Sequence, residues 1–347
     1  MSAIEVLSPG LLTTVQDLGR EGFGPMGVSP SGAADPIALR IGNRLVGNAD
    51  GAAGLEMTLL GGAFQFHAGC IVALTGSDFG ATLEGALVRA WTSFEGKQGQ
   101  TLQLGPTRSG ARCYLCVQGG IAVKPFLGSA STHLLSGLGG LEGRPLRKGD
   151  VLRIGDSPER REKGTGKSAC SSGSAHGFGR TGTLACSSSR NVGGSRHAKM
   201  LSAAAMKRLA PRKVLRVTPG PQSDWFTKAT LKAFYANTYR VTEEANRMGL
   251  HLEGPSLPEG AHGEMISEGV SLGAIQIAAG GLPIILFVEQ QTTGGYAKIA
   301  NVISADLHSL GQLRPRDEIR FELVSFATAR KLLIERERLL ASKDLIV

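Results

Sequence analysis

The segment Pro283-Ile-Ile-Leu-Phe-Val-Glu-Gln-Gln-Thr-Thr-Gly-Gly-Tyr-Ala-Lys298 joins an apolar run to a dense group of polar side chains. The apolar run, residues 283–288, is too short for a helix and rich in branched side chains. These two properties predict a buried strand. We place this segment at the centre of the protein.

The residues after this strand carry carboxylate, amide and hydroxyl groups, a phenol and one cation: Glu289, Gln290, Gln291, Thr292, Thr293, Tyr296 and Lys298. Gly294 and Gly295 allow positive φ, which would let backbone N–H groups turn towards one point. A rigid strand that delivers such groups to a glycine turn suits the binding of a small polar or anionic ligand. A plain polar turn between two strands is the alternative interpretation.

The length and composition predict two globular domains joined by a basic linker. The chain has 347 residues, 49 of them glycine, which is typical of a β-rich protein with many turns. Its net charge is +9, but residues 158–213 alone carry a net charge of +10, and the rest is almost neutral. Residues 164–198 are rich in Gly and Ser and predict a flexible linker or insertion. We therefore predict domains over 1–157 and 214–347, separated by a linker over 158–213.

The same numbers argue against several classes of protein. The basic charge lies in the linker and aromatic residues make up only 5% of the chain, so no nucleic-acid-binding surface is predicted. No apolar run is long enough to cross a bilayer, and the first ten residues lack the pattern of a secretory signal. Five cysteines without a disulfide framework predict a cytoplasmic protein. Cys113 and Cys116 have metal-ligand spacing but lie in a strand-like run, so no metal site is predicted.

Along the chain, short apolar segments separated by glycine between residues 56 and 154 predict a compact antiparallel sheet or barrel. A glycine-rich loop near the amino terminus carries Gln16, Asp17 and Arg20, and it is either a binding loop or a surface turn with an Asp–Arg pair. Asp35 predicts the N-cap of a helix that begins at Pro36. The alternating pattern over 318–323 predicts a half-exposed strand, and residues 327–342 predict a closing helix.

Several motifs occur in a fixed order: Thr14-Val-Gln-Asp-Leu-Gly-Arg20, Gly27-Val-Ser-Pro-Ser-Gly32, Pro219-Gly-Pro-Gln222, Asn246-Arg-Met-Gly249, Ser267-Glu-Gly-Val270, Gly273-Ala-Ile-Gln276 and Gln291-Thr-Thr-Gly-Gly-Tyr296. Together they closely resemble the biotin-dependent carboxyltransferase-domain family, also called the allophanate hydrolase subunit 2 family. The resemblance covers about residues 1–157 and 213–326. It implies a mainly β fold with a few helices, built as two tandem cyclophilin-like β-barrel domains.

The resemblance also implies an activity, a cofactor and partners. The members that this chain fits best are the C-type subunits of 5-oxoprolinases, in which a B-type and an A-type partner complete the enzyme. Such complexes use ATP to open the lactam of 5-oxo-L-proline and give L-glutamate, and no covalent biotin is expected on this chain. Two alternatives stay open: carboxyl transfer from carboxybiotin to urea or a similar amide, and a non-catalytic regulatory partner of a kinase-inhibitor homologue.

Residue type and motif position give each candidate residue a role. Lys298 is the candidate catalytic donor to developing negative charge, and Glu268 and Asp17 are the candidates for proton transfer. The candidate substrate-binding residues are Gln16, Arg20, Asp35, Asn43, Glu56, Gln222, Arg247, Gln276, Gln291, Thr292, Thr293, Gly294, Gly295 and Tyr296. No metal ligand is assigned. We expect the amino-terminal loop and the turn after residues 283–288 to face one shared cleft.

The sequence departs from the family pattern in three places. Gln290 follows Glu289 where an Arg is common, Ala297 stands where Pro is usual, and Ala245-Asn246 replaces Ser-Asp. The loss of an Arg beside the candidate anion site removes a bidentate donor at that place.

Overall fold

The computed structural model describes residues 2–156, 198–258 and 265–347. Residues 158–197 of the predicted linker lie outside the described residues. The mainly β fold with a few helices is confirmed, and it consists of two β units with α-helices packed on their surfaces.

Two antiparallel sheets form the amino-terminal unit. Their strands are β1 (Ala3–Ser8), β2 (Leu12–Gln16), β3 (Gly54–Thr58), β4 (Ala63–Phe66), β5 (Cys70–Gly76), β6 (Thr82–Leu83), β7 (Ala86–Leu87), β8 (Thr92–Gly96), β9 (Thr101–Gln103), β10 (Arg112–Val117) and β11 (Val151–Arg153). One sheet has the order β11-β1-β4-β9-β6-β7 and the other has the order β2-β3-β10-β5-β8. The short glycine-separated segments of the sequence therefore form antiparallel pairs, as predicted.

The core of this unit lies between its two sheets. Phe64 and Phe66 project into it from β4, and Leu55 and Leu115 project from β3 and β10; all four are 0% exposed. Alternate residues of a strand point to one face of the sheet, so short apolar alternations are sufficient to build such a core. Burial of each of these side chains contributes about 1.5–3 kcal/mol.

Helix α1 (Pro36–Leu45) covers the outer face of the second sheet, where it packs against β5 and β10. The Asp35 carboxylate accepts a hydrogen bond from the Ala38 N–H at 2.9 Å, which confirms the predicted N-cap. Pro36 occupies the first helical turn, where the missing N–H of proline costs nothing.

A closed barrel forms the carboxy-terminal unit. Its strands and those beside it are β12 (Val214–Pro219), β13 (Tyr239–Val241), β14 (Gly249–Glu253), β15 (Glu268–Gly269), β16 (Ala274–Ile277), β17 (Pro283–Leu286), β18 (Thr293–Gly294), β19 (Lys298–Val302) and β20 (Glu318–Leu323). The barrel order is β12-β19-β16-β17-β14-β13-β20, closed by the parallel pair β12–β20. Strands β15 and β18 pair with each other outside the barrel. The predicted buried strand is confirmed as β17.

The described residues contain four further α-helices: α2 (Ala203–Arg208), α3 (Lys228–Ala236), α4 (Leu307–Leu310) and α5 (Phe326–Ala341). Helix α3 packs on β20, where the rings of Phe234 and Phe321 stack at 4.6 Å. Helix α5 confirms the predicted closing helix. Among the described residues, no helix is both long enough and apolar enough to cross a membrane.

The segment around α2 and the carboxy-terminal end of the chain pack on the same surface of the amino-terminal unit. Leu201 and Ala205 near α2, together with Leu340 and Leu345 at the end of the chain, are buried in one cluster with the apolar face of α1. Residues 201–209 of the predicted linker therefore belong to this packed region, and so does the end of the last helix, although it follows the barrel in sequence.

Candidate functional site

Lys298 on β19 and Glu268 on β15 form an ion pair beside the barrel. The Lys298 Nζ lies 2.8 Å from Glu268 Oε1. The Gln222 side chain joins them, because its Nε2 donates to Glu268 Oε1 at 2.9 Å and its Oε1 accepts from the Lys298 backbone N–H at 3.2 Å. Gln222, Glu268 and Lys298, which lie far apart in the sequence, thus meet at one point.

The pair is asymmetric with respect to water. The Lys298 side chain is 2% exposed, whereas the Glu268 side chain is 45% exposed. The hydrogen bond from Lys298, with a smaller contribution from Gln222, holds the pKa of Glu268 below its ordinary value. The carboxylate therefore remains ionised and reachable from solvent while the ammonium group is held in place behind it.

Gly294 lies against this pair and is required there by close packing. A Cβ at this position would lie 2.6 Å from Gln276 Nε2 and 3.2 Å from Gln291 Nε2, and Gly294 is paired with Glu268 in the β15–β18 ladder. The predicted reason for the glycines was wrong, because neither Gly294 nor Gly295 adopts positive φ. The amide groups approach the backbone closely, and only hydrogen leaves room for them.

Gln276 supplies a donor that is still free among the described residues. It is 1% exposed, it pairs with Lys298 across the β16–β19 ladder, and its Nε2 has no hydrogen-bond partner in the part of the chain that the structure describes. A buried amide without a partner is costly, and a ligand carbonyl or carboxylate would satisfy it. We refer to Gln222, Glu268, Gln276, Gln291, Gly294 and Lys298 together as the lysine site.

The remaining residues of the turn lie at the rim of the lysine site. Thr293 and Tyr296 are exposed, and the carbonyl of Thr292 accepts the Val270 N–H at 3.1 Å. The Tyr296 carbonyl lies 3.5 Å from Lys298 Nζ. Their role in substrate binding stays a prediction.

Asp17, Gln16 and Arg20 hold the segment 129–132 in place. The Asp17 carboxylate accepts hydrogen bonds from Ser129 Oγ at 2.7 Å, from the Ala130 N–H at 2.6 Å and from Ser131 Oγ. Gln16 Nε2 donates to the Thr132 carbonyl at 3.1 Å, and Arg20 donates to the Ser131 carbonyl at 2.5 Å. These bonds fix a loop, and the proposed proton-transfer role of Asp17 stays a prediction.

Arg20 has spare donors. Its side chain is buried over the ring of Phe126, with 5.6 Å between the guanidinium carbon and the ring centre. Its Nε and one terminal nitrogen have no hydrogen-bond partner among the described residues. Burial lowers the pKa of Arg20 despite the neighbouring carboxylates of Asp17 and Glu289.

A second buried cluster, the arginine junction, joins the two β units. Arg247 lies between Glu56 and Glu289. Its Nη1 is 2.5 Å from Glu56 Oε1, and its Nε is 2.5 Å from Glu289 Oε1. Tyr114 donates to Glu56 at 2.6 Å, and the Arg112 Nε lies 3.5 Å from Glu56. The carboxylates therefore neutralise two guanidinium groups inside the protein, where an unpaired charge would be very costly.

The segment 129–134 connects the arginine junction to the amino-terminal loop. Glu289 accepts the Leu134 N–H at 3.1 Å, while the other end of the segment bonds to Gln16, Asp17 and Arg20 as described above. Burial lowers the pKa of His133, with Arg20 and Arg247 acting in the same direction and Glu289 opposing them. Glu289 and the amino-terminal loop therefore lie around one histidine.

Two predicted substrate-binding residues make structural contacts elsewhere. Asn43 on α1 donates to the carbonyls of Asp50 and Ala52, at 3.1 and 2.7 Å. Asp35 caps α1 and accepts a bond from Gln312 Nε2 at 2.8 Å. None of these bonds joins Asn43 or Asp35 to a residue of the lysine site, whose members all belong to the described residues. They provide a structural reason for the residue type at each position.

Sequence reasoning missed Arg112, Tyr114 and His133. Arg112 and Tyr114 lie on β10, in which every residue is buried, and the strand-like run concealed their polar contacts. A charged residue at the start of an otherwise apolar run was the available signal.

Cys113 and Cys116 are on the same strand, and burial raises the pKa of the Cys116 thiol to about 12. Within the described ranges, no three His, Cys, Asp or Glu residues are grouped as metal ligands.

Comparisons with known proteins give a consistent result. A family model described as carboxyltransferase domain, subdomain A and B, matches residues 26–323. The chain is 36% identical to the C-type subunit of 5-oxoprolinase from Escherichia coli (strain K12) over 337 residues, which cover 96% of each protein. It is 33% identical to the corresponding 5-oxoprolinase protein of Haemophilus influenzae, over 95% of this chain and 94% of that protein.

Larger proteins contain a related segment. Urea amidolyase of Saccharomyces cerevisiae is 32% identical over 99% of this chain, which covers 18% of that enzyme. In the crystal structure of Kluyveromyces lactis urea amidolyase, 31% identity accompanies a TM-score of 0.81 over 99% of this chain and 21% of the larger one. The chain thus spans about a fifth of urea amidolyase.

Proposed function

The chain belongs to the carboxyltransferase-domain family, subdomains A and B, and on that premise we propose that it is the C-type subunit of a 5-oxoprolinase. This enzyme would hydrolyse 5-oxo-L-proline to L-glutamate at the expense of ATP. The observation that carries the proposal is the relation to the C-type 5-oxoprolinase protein of Escherichia coli, which extends over 96% of both proteins. Urea amidolyase, in contrast, matches only through one of its segments.

We propose that the chain works in an assembly, with a homologue of the 5-oxoprolinase B-type protein and an A-type protein as its partners. The relatives' names, which describe one subunit of an enzyme, support an assembly of several polypeptides. On this proposal the chain alone has no turnover, and the complete assembly opens the lactam.

The lysine site offers hydrogen-bond donors and a base for the addition of water to the lactam carbonyl. The substrate offers a carbonyl oxygen, a ring N–H and a carboxylate. Lys298 and the free Nε2 of Gln276 would donate to oxygen atoms, where negative charge develops as water adds to the carbonyl carbon. Glu268, ionised and half-exposed, would take a proton from that water, and the ring nitrogen would receive a proton as the C–N bond breaks.

ATP does not fit the lysine site as a triphosphate ligand. Glu268 faces the same ammonium group that a phosphate would need, so like charges would meet. Gly294 and Gly295 do not adopt the positive φ of an anion-binding nest. We therefore propose that ATP binds elsewhere in the assembly and route no step of the chemistry at the lysine site through it.

Reconstitution tests the proposal. The purified chain is mixed with the A-type and B-type proteins of the same organism, with 5-oxo-L-proline and ATP, and glutamate release is measured. We expect glutamate only when all three proteins and ATP are present. Well-folded proteins that assemble but release no glutamate would overturn the proposal.

A second candidate is carboxyl transfer to urea or a similar amide. It is favoured by the TM-score of 0.81 to urea amidolyase, whose segment has the same fold as nearly the whole chain. Transfer would require a biotin carboxylase and a biotin carrier on other polypeptides. Incorporation of labelled bicarbonate into an amide by such a mixture would identify this activity, and lactam hydrolysis would incorporate none.

A further inference from the structure

A cavity of about 390 Å³ lies between the two β units, apart from the lysine site. Its walls come from α1, from residues 108–110 before β10, from the α2 region and from residues 309–317. Glu268, Gln276 and Lys298 do not line it. Its volume falls within the range of small-molecule sites, about 300–1,000 Å³.

The floor of the cavity is apolar. It is formed by Trp91, Leu201, Met206 and Leu209. Trp91 has a φ of 62°, an unfavourable value for a bulky residue, and hydrogen bonds on both sides hold it there. Met206 is 41% exposed although it borders an apolar surface, and its flexible thioether can adapt to different ligand shapes.

The rim of the cavity is cationic. Arg108, Arg212, Lys213 and Arg314 line it. Among the described residues, only two carboxylates line the cavity, those of Asp35 and Asp317. Asp35 is 3% exposed and already accepts bonds from Ala38 and Gln312, so the accessible rim is left with an excess of positive charge.

Two of these cations keep free donors. The Arg314 guanidinium lies 3.9 Å from Asp317, which Lys213 already contacts at 3.0 Å. The Arg212 Nε donates to the Val214 carbonyl at 3.2 Å, and the nearest carboxylates lie 3.8 Å or more away. Among the described residues, the terminal nitrogens of Arg212 and Arg314 therefore have no hydrogen-bond acceptor. Both side chains are about two-fifths exposed, so a ligand can reach these nitrogens.

We propose that this cavity is a second ligand site, which binds a small organic anion with a compact apolar body. The apolar body lies on Trp91, Met206 and Leu209, and the anionic group, a carboxylate, sulfonate or phosphate, accepts bonds from Arg212 and Arg314. Guanidinium groups are suited to such acceptors because their N–H donors form a planar fork. The site exists only in the folded chain, because its walls come from segments that lie far apart in the sequence, and a bound ligand therefore stabilises the folded state.

The test compares two dyes with nearly the same apolar body. The probe 8-anilinonaphthalene-1-sulfonate carries one sulfonate, and N-phenyl-1-naphthylamine lacks it. Fluorescence titration of the full chain should show that the sulfonate dye binds at one site. Its Kd should be about tenfold or more below that of the neutral dye. The sulfonate should also raise the Tm of the protein.

Variants locate the binding. The double change Arg212→Gln, Arg314→Gln should weaken sulfonate binding about tenfold or more and leave the neutral dye unaffected, whereas Arg208→Gln, Arg240→Gln is the matched control. Ala210→Trp fills the cavity from an exposed lining position and should weaken both dyes. Ala204→Trp, an exposed position of α2 outside the cavity, should weaken neither.

Two results would overturn the proposal. Equal affinities for the two dyes would show that the rim does not select an anion. Sulfonate binding that survives both the double arginine change and Ala210→Trp would place the dye elsewhere. Thermal denaturation of each variant shows that the protein is folded, so that a lost signal reports the site.

Discussion

Arg247 of the barrel unit donates to Glu56 of the amino-terminal unit at 2.5 Å, and the two side chains are 6% and 1% exposed. The same guanidinium contacts Glu289, which follows β17. One arginine thus connects the two units to the turn that carries the lysine site. The positions of all three elements depend on this contact.

Replacement of Arg247 should destabilise the protein strongly. Arg247→Met removes the ion-pair partner of buried Glu289 and leaves Glu56 with the longer contact to Arg112, and breaking a buried pair in this way costs about 3–5 kcal/mol. The free energy of unfolding from urea titration measures it. Arg240→Met is the control, since Arg240 and its partner Glu253 are both about half-exposed and should contribute about 1 kcal/mol or less. Equal effects of the two changes would contradict the assignment.

Gly294→Ala should disturb the lysine site through Gln276. The added methyl group would lie 2.6 Å from Gln276 Nε2 and must displace this amide. We expect glutamate release by the reconstituted complex to fall about tenfold or more, because misplacement of a group by about 1 Å can cost up to 10²-fold. Gly269→Ala is the matched control: it lies in the same two-stranded ladder, no atom of the described residues lies within 4 Å of its added Cβ, and it should keep its activity.

The pKa of Glu268 gives a pH prediction. Lys298 and Gln222 hold this pKa below the ordinary value of 4.5, so the carboxylate stabilises the fold above pH 4.5 and the stabilisation is lost as the pH falls through the lowered pKa. Carbon-13 NMR of the Glu268 carboxyl should show a titration below 4.5 in the wild type and a higher midpoint in Lys298→Met. An unchanged midpoint would show that the ion pair does not form in solution.

The last helix should stabilise the amino-terminal unit. Leu340 on α5 is 0% exposed and shares a cluster with the apolar face of α1. Leu340→Ala should lower the free energy of unfolding by about 2–5 kcal/mol. Ile334→Ala on the same helix, where the side chain is 38% exposed, should change it by about 0.5 kcal/mol or less. A small effect at Leu340 would separate α5 from the core.

Local patterns in the sequence were sufficient to predict local structure. The apolar run became β17, Asp35 became the cap of α1, and the alternation over 318–323 became β20. Each of these features depends on residues only a few positions apart, and chain geometry fixes how such neighbours are arranged.

Long-range contacts could not be predicted in this way. Glu56 and Arg247 are 191 positions apart, and no spacing rule relates them. The sequence predicted the closing helix α5, but it could not predict that Leu340 on this helix would share a buried cluster with the apolar face of α1. Gly294 was expected to be conformationally special, yet the neighbouring amide of Gln276, brought in by another strand, is what excludes a side chain.

Lys298→Met in the reconstituted complex tests the central claim most directly. We predict that the kcat for glutamate release falls by about 10²-fold or more, while the protein remains folded and assembles with the partner proteins. Lys228→Met, at an exposed position of α3, should behave like the wild type. Full activity of a folded, assembled Lys298→Met protein would contradict the account.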